Sequence, residues 1–270
     1  MSQIRISVKN ARFQLIEALV HNRNKRSREG QFLVQGVRPI NLAIEHGWTI
    51  KTVIYASDKD LSGWARSLLA LEAEKIAMTS DLLAELSGKE EGAAEVVVIV
   101  AMPADDLDRI NVTDDFMGVV FDRPNQPGNV GTIMRSADAL GAHGLIVTGH
   151  AADPYDPKSV RASTGSLFSL PVVRQNSQAE VLAWVELHRA AGIPITIVAT
   201  DELGEADVWD FSFTGPVLIL VGNETTGLSK SWRECADVTL KVPMAGAASS
   251  LNAGNAATLM MYEALRQRSQ

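Results

Sequence analysis

Two rhythms of apolar residues divide the chain. Short, mostly apolar runs at 118–121 (GVVF), 144–148, 195–200, 217–221 (VLILV) and 238–242 are bounded by glycine, proline or acidic residues and predict buried strands. Between the first two, Val130, Ile133, Met134 and Ala137 recur at the spacing of a single helical face, which predicts a helix with its apolar stripe turned to a core. Strands alternating with helices from 116 to 270 argue for an α/β domain whose mostly parallel sheet is covered on both faces. The first hundred residues alternate in the same way, with helices expected over 11–21, 39–46 and 61–74 and strands at 31–35, 51–55 and 95–102. A second, small α/β domain over 1–103 follows. Residues 104–115 carry Asp105, Asp106, Asp108, Asp114 and Asp115, lack a sustained apolar period, and read as the linker before a domain over 116–270.

Composition narrows the class. With 270 residues and 46% hydrophobic content the chain can bury a large core, yet no uninterrupted apolar stretch approaches the roughly 20 residues of a membrane-spanning helix. The polar start MSQIRISVKN lacks the apolar centre of a signal peptide, so a cytoplasmic protein without a membrane partner is expected. The one cysteine, Cys235, excludes an internal disulfide and a cysteine-rich zinc site. His21, His46, His143, His150 and His188 show no metal-ligand spacing, and no metal is expected.

A net charge of −7 argues superficially against a polyanionic partner, but residues 1–40 carry +6 and the remainder −13. The cluster HNRNKRSR places Arg23, Lys25, Arg26 and Arg28 within eight residues, which suits salt-sensitive attraction to phosphates; a solvated helix end is the competing explanation.

Glycine and polar residues gather where three of the strands end. DRPNQPGNVGTIMRSADALG follows GVVF, GNETTGLS follows VLILV, and MAGAASSLNAGNAA follows the strand closed by Pro243. In order, these carry N-x-G-x-x-x-R at Asn129, Gly131 and Arg135, G-x-E-x-x-G at Gly222, Glu224 and Gly227, and S-L-N at Ser250, Leu251 and Asn252. This succession resembles the TrmH/SpoU family of RNA 2′-O-ribose methyltransferases in the SPOUT superfamily. DPKSVRASTGSLFSLPV, opening at Asp156, is similar to the family's middle segment, where Arg161, Ser163 and Gly165 are candidates for RNA phosphate contact. RSREGQFLVQGVRPINLAIEHG resembles the substrate-binding domain that precedes the catalytic domain in larger members, with Gln35 where glutamate is more common.

The resemblance implies a deep trefoil knot in the C-terminal domain, an exception to the rule against knotted connections, and a homodimer through that domain. It also implies S-adenosylmethionine bound by loops that here begin near Thr200, at Gly222 with Asn223, and at Val242, with Met244 and Leu251 contributing. Gly222 either admits backbone close to the adenosine or forms a tight turn. The implied catalytic set is Asn129, Arg135, Glu224, Ser250 and Asn252. Arg135, expected on the same side of its helix as Gly131, is either the base for the 2′-hydroxyl or, since a guanidinium keeps its proton at neutral pH, a stabiliser of the emerging alkoxide. Glu224 either pairs with Arg135, holds a backbone amide, or sits in a helix N-cap region. Ser250 and Asn252 are neutral hydrogen-bonders suited to orienting a hydroxyl, and a serine cap opening the last helix at Ser249 or Ser250 competes for Ser250. After S-L-N the family often has valine, serine and valine where this chain has Ala253, Gly254 and Asn255; with Ala256 and Ala257 these small residues permit close approach of another helix, in a dimer or in the chain's own core.

The implied activity is methyl transfer to a ribose of RNA, 23S rRNA in preference to tRNA because of the two-domain arrangement. The alternatives are a tRNA 2′-O-methyltransferase and a non-catalytic RNA-binding protein with the same fold. A nicotinamide dehydrogenase lacks its G-x-G-x-x-G, and in GNETTGLSK the phosphate-gripping lysine of a P-loop is replaced by Leu228.

Overall fold

The five apolar runs expected in the later part of the chain all become strands of one sheet, and their neighbours in space explain where its loops open. The computed structural model describes residues 4–88 and 94–270. It divides into one unit of residues 1–103 with 155–160 and another of 104–154 with 161–270.

The first unit contains β1 (Ile4–Ile6), α1 (Ala11–His21), α2 (Arg23–Glu29), β2 (Gln31–Gln35), α3 (Val37–Glu45), β3 (Ile50–Ala56), α4 (Gly63–Leu68), β4 (Glu74–Met78), α5 (Ser80–Ser87) and β5 (Val96–Ala101). Its sheet runs β1-β4-β3-β5-β2, with β5 antiparallel to both neighbours. Asn10 caps α1 by accepting from the Phe13 amide, so that Phe13, Ile16 and Leu19 fall on one buried face. The helix expected over 61–74 stops at Leu68: Lys75 Nζ collects the carbonyls of Leu71 and Ala73, and β4 begins at Glu74. Gln35 Nε2 donates to the Ser87 carbonyl at the end of α5, a bond that a glutamate carboxylate cannot make.

Residues 155–160 join this unit although they come from far along the chain. Tyr155 is buried with its ring centroid 4.9 Å from that of Phe32, and Asp156 lies 3.3 Å from Arg26.

The second unit contains β6 (Met117–Asp122), α6 (Pro127–Ala139), β7 (Gly144–Thr148), the end of α7 (Pro157–Ser163), α8 (Ser166–Ser169), β8 (Val172–Gln175), α9 (Gln178–Ala190), β9 (Thr196–Thr200), β10 (Ala206–Asp207), β11 (Val217–Val221), α10 (Lys230–Glu234), β12 (Val238–Lys241) and α11 (Ala253–Arg268). Its strands pair in the order β10-β12-β9-β11-β6-β7-β8, every pair parallel. Val130, Ile133, Met134 and Ala137 of α6 are fully buried, as their spacing requires.

Residues 104–115, expected as a linker, begin this unit: Leu107 and Ile110 lie in its core with Phe116 and Trp184. Aspartates face solvent there while the intervening apolar residues pack, a short pattern that carries no regular period.

The chain's last helix is tied down at its end. Arg268 donates to four carbonyls, those of Phe213 (2.9 Å), Asp115 (2.6 Å), Phe116 (3.2 Å) and Gly215 (2.7 Å). A lysine cannot reproduce that fan of donors. Arg268→Ala should lower stability by about 3 kcal/mol and Arg268→Lys by less, read by denaturant unfolding.

Candidate active site

In the seven-stranded sheet, β6 and β11 lie side by side, but the chain leaves β6 for an adjacent β7 on one flank and leaves β11 for β12 on the other. Their following loops therefore diverge beyond the carboxyl ends, where open parallel sheets place ligand sites. The first loop leads into α6 and the second is the turn that holds Glu224.

Helix α6 starts with Pro127, and its N-cap residue Gln126 makes no side-chain cap bond. The segment leading into the helix is held from the other loop: Glu224 Oε2 accepts from the Asn125 amide (3.0 Å), and Oε1 accepts from the Gln126 amide (3.2 Å) and from Asn129 Nδ2 in the first turn (2.8 Å). Asn129 Oδ1 in turn accepts from Asn252 Nδ2 at 3.1 Å, and Asn252 caps α11 by accepting from the Gly254 amide at 2.9 Å. One residue from each of the three sequence motifs thus stands in a single hydrogen-bonded chain. Burial alone would raise the Glu224 carboxyl, but the Asn125 amide and the Asn129 side chain outweigh it and hold the group below its ordinary 4.5.

Helix α11 closes on α6 beside this chain. A Cβ on Gly254 would lie 2.9 Å from Thr132 Cγ2, and Ser136 Oγ meets Thr258 Oγ1 at 2.7 Å. Ala253, Gly254 and Ala257 are buried against the chain's own core, so these small residues serve packing within one protomer. Asn252, and neither Ser249 nor Ser250, is the N-cap of α11.

Glu224 does not pair with Arg135. Arg135 is exposed, with no ion pair among the described residues, and lies one helical turn after Gly131, which is buried in the packed face of α6. Ser250 is exposed in the open stretch before α11. Residues 242–251 form no backbone–backbone hydrogen bond among the described residues, and the stretch carries the small residues Ala245, Gly246, Ala247 and Ala248 with exposed Met244 and Leu251. Accessible backbone donors and acceptors beside two apolar side chains fit a nucleoside with a hydrogen-bonding edge and a flat face.

The other expected cofactor residues, Thr200, Gly222 and Asn223, each have a structural role in their own loop. A Cβ on Gly222 would stand 2.3 Å from the Leu228 nitrogen, so the turn itself requires a glycine there. Asn223 is buried, its Oδ1 accepting from the Thr225 and Thr226 amides and its Nδ2 donating to the Arg123 carbonyl. Thr200 spends its hydroxyl on the Leu220 carbonyl. Sequence reasoning passed over Asp122 and Arg123, whose signal is an ionisable pair closing an otherwise apolar strand.

In the first unit, Arg26 departs from the expected phosphate contact. Its side chain is 2% exposed and caps the end of α1 through the carbonyls of Leu19 (2.9 Å) and Val20 (3.0 Å). Lys25 pairs with Glu29 at 2.8 Å, Arg23 is half-buried, and Arg28 is the most open of the cluster. Of the middle segment, Ser163 is buried and Arg161 exposed, while Gly165 opens α8 at φ 105°.

The SpoU rRNA Methylase family matches residues 117–262, which contain the whole Glu224–Asn129–Asn252 chain. The protein belongs to this family. The SpoU L30e-like domain matches residues 10–98. Among related SpoU proteins, the 23S rRNA (uridine(2479)-2′-O)-methyltransferase of Streptomyces viridochromogenes is 64% identical over 265 residues, 98% of this chain and 92% of the relative. The crystal structure of the SpoU methyltransferase AviRb from Streptomyces viridochromogenes in complex with AdoMet matches with a TM-score of 0.94 at 64% identity, covering 97% of this chain and 99% of that one. An AdoMet-bound rRNA methyltransferase from Sinorhizobium meliloti matches with a TM-score of 0.85 at 30% identity, covering 98% of each.

A carboxylate held below its ordinary range stabilises the fold above the unfolded value and loses that contribution as pH falls through the folded one. Glu224→Gln should therefore melt below the wild type at pH 7, and the gap should narrow once the pH drops under 4.5. Melting curves from pH 7 to 3 check this; a gap independent of pH would contradict it.

Proposed function

We propose that this SpoU protein transfers a methyl group from S-adenosylmethionine to a ribose 2′-hydroxyl of 23S rRNA. The observation that carries the reading is the hydrogen-bonded chain Glu224–Asn129–Asn252, which joins the ends of three sequence motifs at the carboxyl edge of the sheet. The rRNA assignment is supported by the near full-length similarity to a 23S rRNA (uridine(2479)-2′-O)-methyltransferase.

The donor, when bound, supplies an electrophilic methyl group. Val242, Met244 and Leu251 would hold its nucleoside through open backbone and apolar contact, with Thr200, Gly222 and Asn223 shaping the neighbouring loops. Because Glu224 is occupied by the Asn125 and Gln126 amides just before α6, the charge of Arg135 is left for the substrate, where it orients the ribose and stabilises negative charge as the 2′-oxygen attacks. Ser250 lies in the same open stretch as the donor-binding residues and would help to place the hydroxyl. Asn129 and Asn252 fix the two helix starts and belong to the site as positioning residues.

Residues 1–103 would gather RNA, with Arg23, Lys25 and Arg28 contributing charge and Arg26 internal to the fold. A cytoplasmic enzyme suits that substrate. The trefoil knot belongs to the same proposal; the loop after β9 passes so close to β12 that a Cβ on Gly204 would lie 2.5 Å from the Leu240 carbonyl carbon, which suits a threaded chain. A homodimer would bury the apolar stripe that α11 exposes at Leu259 (41%), Tyr262 (55%) and Leu265.

With tritiated donor, wild-type protein should label 23S rRNA at a ribose, and Arg135→Ala should lose at least about 100-fold in rate with donor affinity nearly unchanged. Label entering tRNA alone would overturn the substrate. The Leu259→Glu, Tyr262→Glu double variant should run as a monomer in light scattering where the wild type runs as a dimer.

A further inference from the structure

Arg123 holds a backbone conformation that few side chains adopt, at φ 50° immediately after the buried Asp122. Glycine or asparagine would sit there with less strain. The surroundings enforce it from the ends of two neighbouring strands, β7 and β11. Its amide donates to the Thr148 carbonyl (3.0 Å), and its own carbonyl accepts from Asn223 Nδ2 (2.5 Å). A Cβ on Gly149 would lie 2.7 Å from Arg123 Cγ, so the glycine leaves room for the arginine stem.

The guanidinium then makes a two-pronged contact. Nε donates to Asp122 Oδ2 at 3.1 Å and Nη2 to the Gly227 carbonyl at 3.2 Å, while Asp122 also accepts from the Ser229 amide at 2.8 Å. Asn223 and Gly227 are the two ends of the turn that carries Glu224, closed on itself by reciprocal backbone bonds of 3.0 and 2.9 Å. Arg123 thus grips one end through its carbonyl and the other through its side chain, without touching Glu224 itself.

We propose that Arg123 is a positioning residue for the methyl transfer: it locks the 223–227 turn so that the Glu224 carboxylate stays over the start of α6 and keeps Asn129 and Asn252 in register. The inference rests on the methyltransferase reading above. Strain kept beside a site, where an easier residue would fit the backbone, is expected when the side chain is needed for the geometry. Lysine can reach Asp122 or Gly227 but cannot fork to both.

The test is a double-mutant cycle of Arg123→Gly with Glu224→Gln, with Arg123→Asn and Arg123→Lys alongside. It reads kcat and KM for rRNA, donor affinity by calorimetry, and Tm. Arg123→Gly and Arg123→Asn should each lower kcat by about tenfold or more, with KM little changed. Relief of backbone strain offsets the lost bonds, so Tm should move by no more than about 4 °C. Arg123→Lys should recover part of the rate. The combined Arg123→Gly, Glu224→Gln variant should be no slower than the worse single variant to within about threefold, because both act through one carboxylate. Multiplying effects, or full kcat in both Arg123→Gly and Arg123→Asn, would overturn the inference while leaving the methyltransferase reading intact. Wild-type protein that binds donor but labels no RNA, or a Glu224→Gln variant as fast as wild type, would bring down the site reading and this inference with it.

Discussion

The carboxylate of Glu224 at the start of α6 is the contact on which the arrangement of the catalytic half depends. The segment that enters α6 at Pro127 presents the Asn125 and Gln126 amides, which need an acceptor. The acceptor comes from about a hundred residues later in the chain, which is possible only because β11 inserts beside β6. Parallel pairing brings their carboxyl ends level, Val221 opposite Phe121, and the two loops emerge within reach of one another. Through Asn129 the same carboxylate is linked to Asn252, and so to the start of the last helix. Sheet order, helix capping and site assembly are thus a single solution to where the polar groups at the strand ends find partners.

That solution also determines which charges remain available. An acid buried in part and saturated with N–H donors is poorly placed to neutralise a cation elsewhere. The chain carries −7 in total, yet Arg135 stands exposed with no carboxylate partner among the described residues. Local charge and net charge have opposite meanings for an anionic substrate here, because a phosphate responds to groups within about a Debye length.

Much of the architecture was legible from the apolar rhythm, since strands such as 217–221 and the stripe of α6 are buried on period and have no alternative use. Short pieces escaped it. EKIAM in β4 is too brief to show a period and overlaps the helix expected over 61–74 only at Glu74, while β8 carries only Val172 and Val173 as strongly apolar residues. The motif residues were legible as types but not as directions. Gly222 and Asn223 look like ligand contacts in a linear pattern, yet one is constrained by the backbone of Leu228 and the other is spent on its own turn. Arg26 looked like its neighbours in a basic cluster, and only the helix–helix corner of α1 and α2 shows that its guanidinium faces two orphan carbonyls. Spacing records which residues recur together; it does not record whether a donor finds its acceptor inside.

The excursion of residues 155–160 bears on how such proteins can be rearranged by recombination. The ring of Tyr155 that covers Phe32 and the carboxylate of Asp156 that meets Arg26 are encoded deep within the catalytic half. A gene cut after residue 103 would deliver an N-terminal module with an exposed aromatic face and a buried arginine without the Asp156 carboxylate. Exchange of that module between relatives is therefore constrained by a six-residue stretch more than fifty positions away, and shuffling that leaves the stretch behind should yield poorly folding chimaeras.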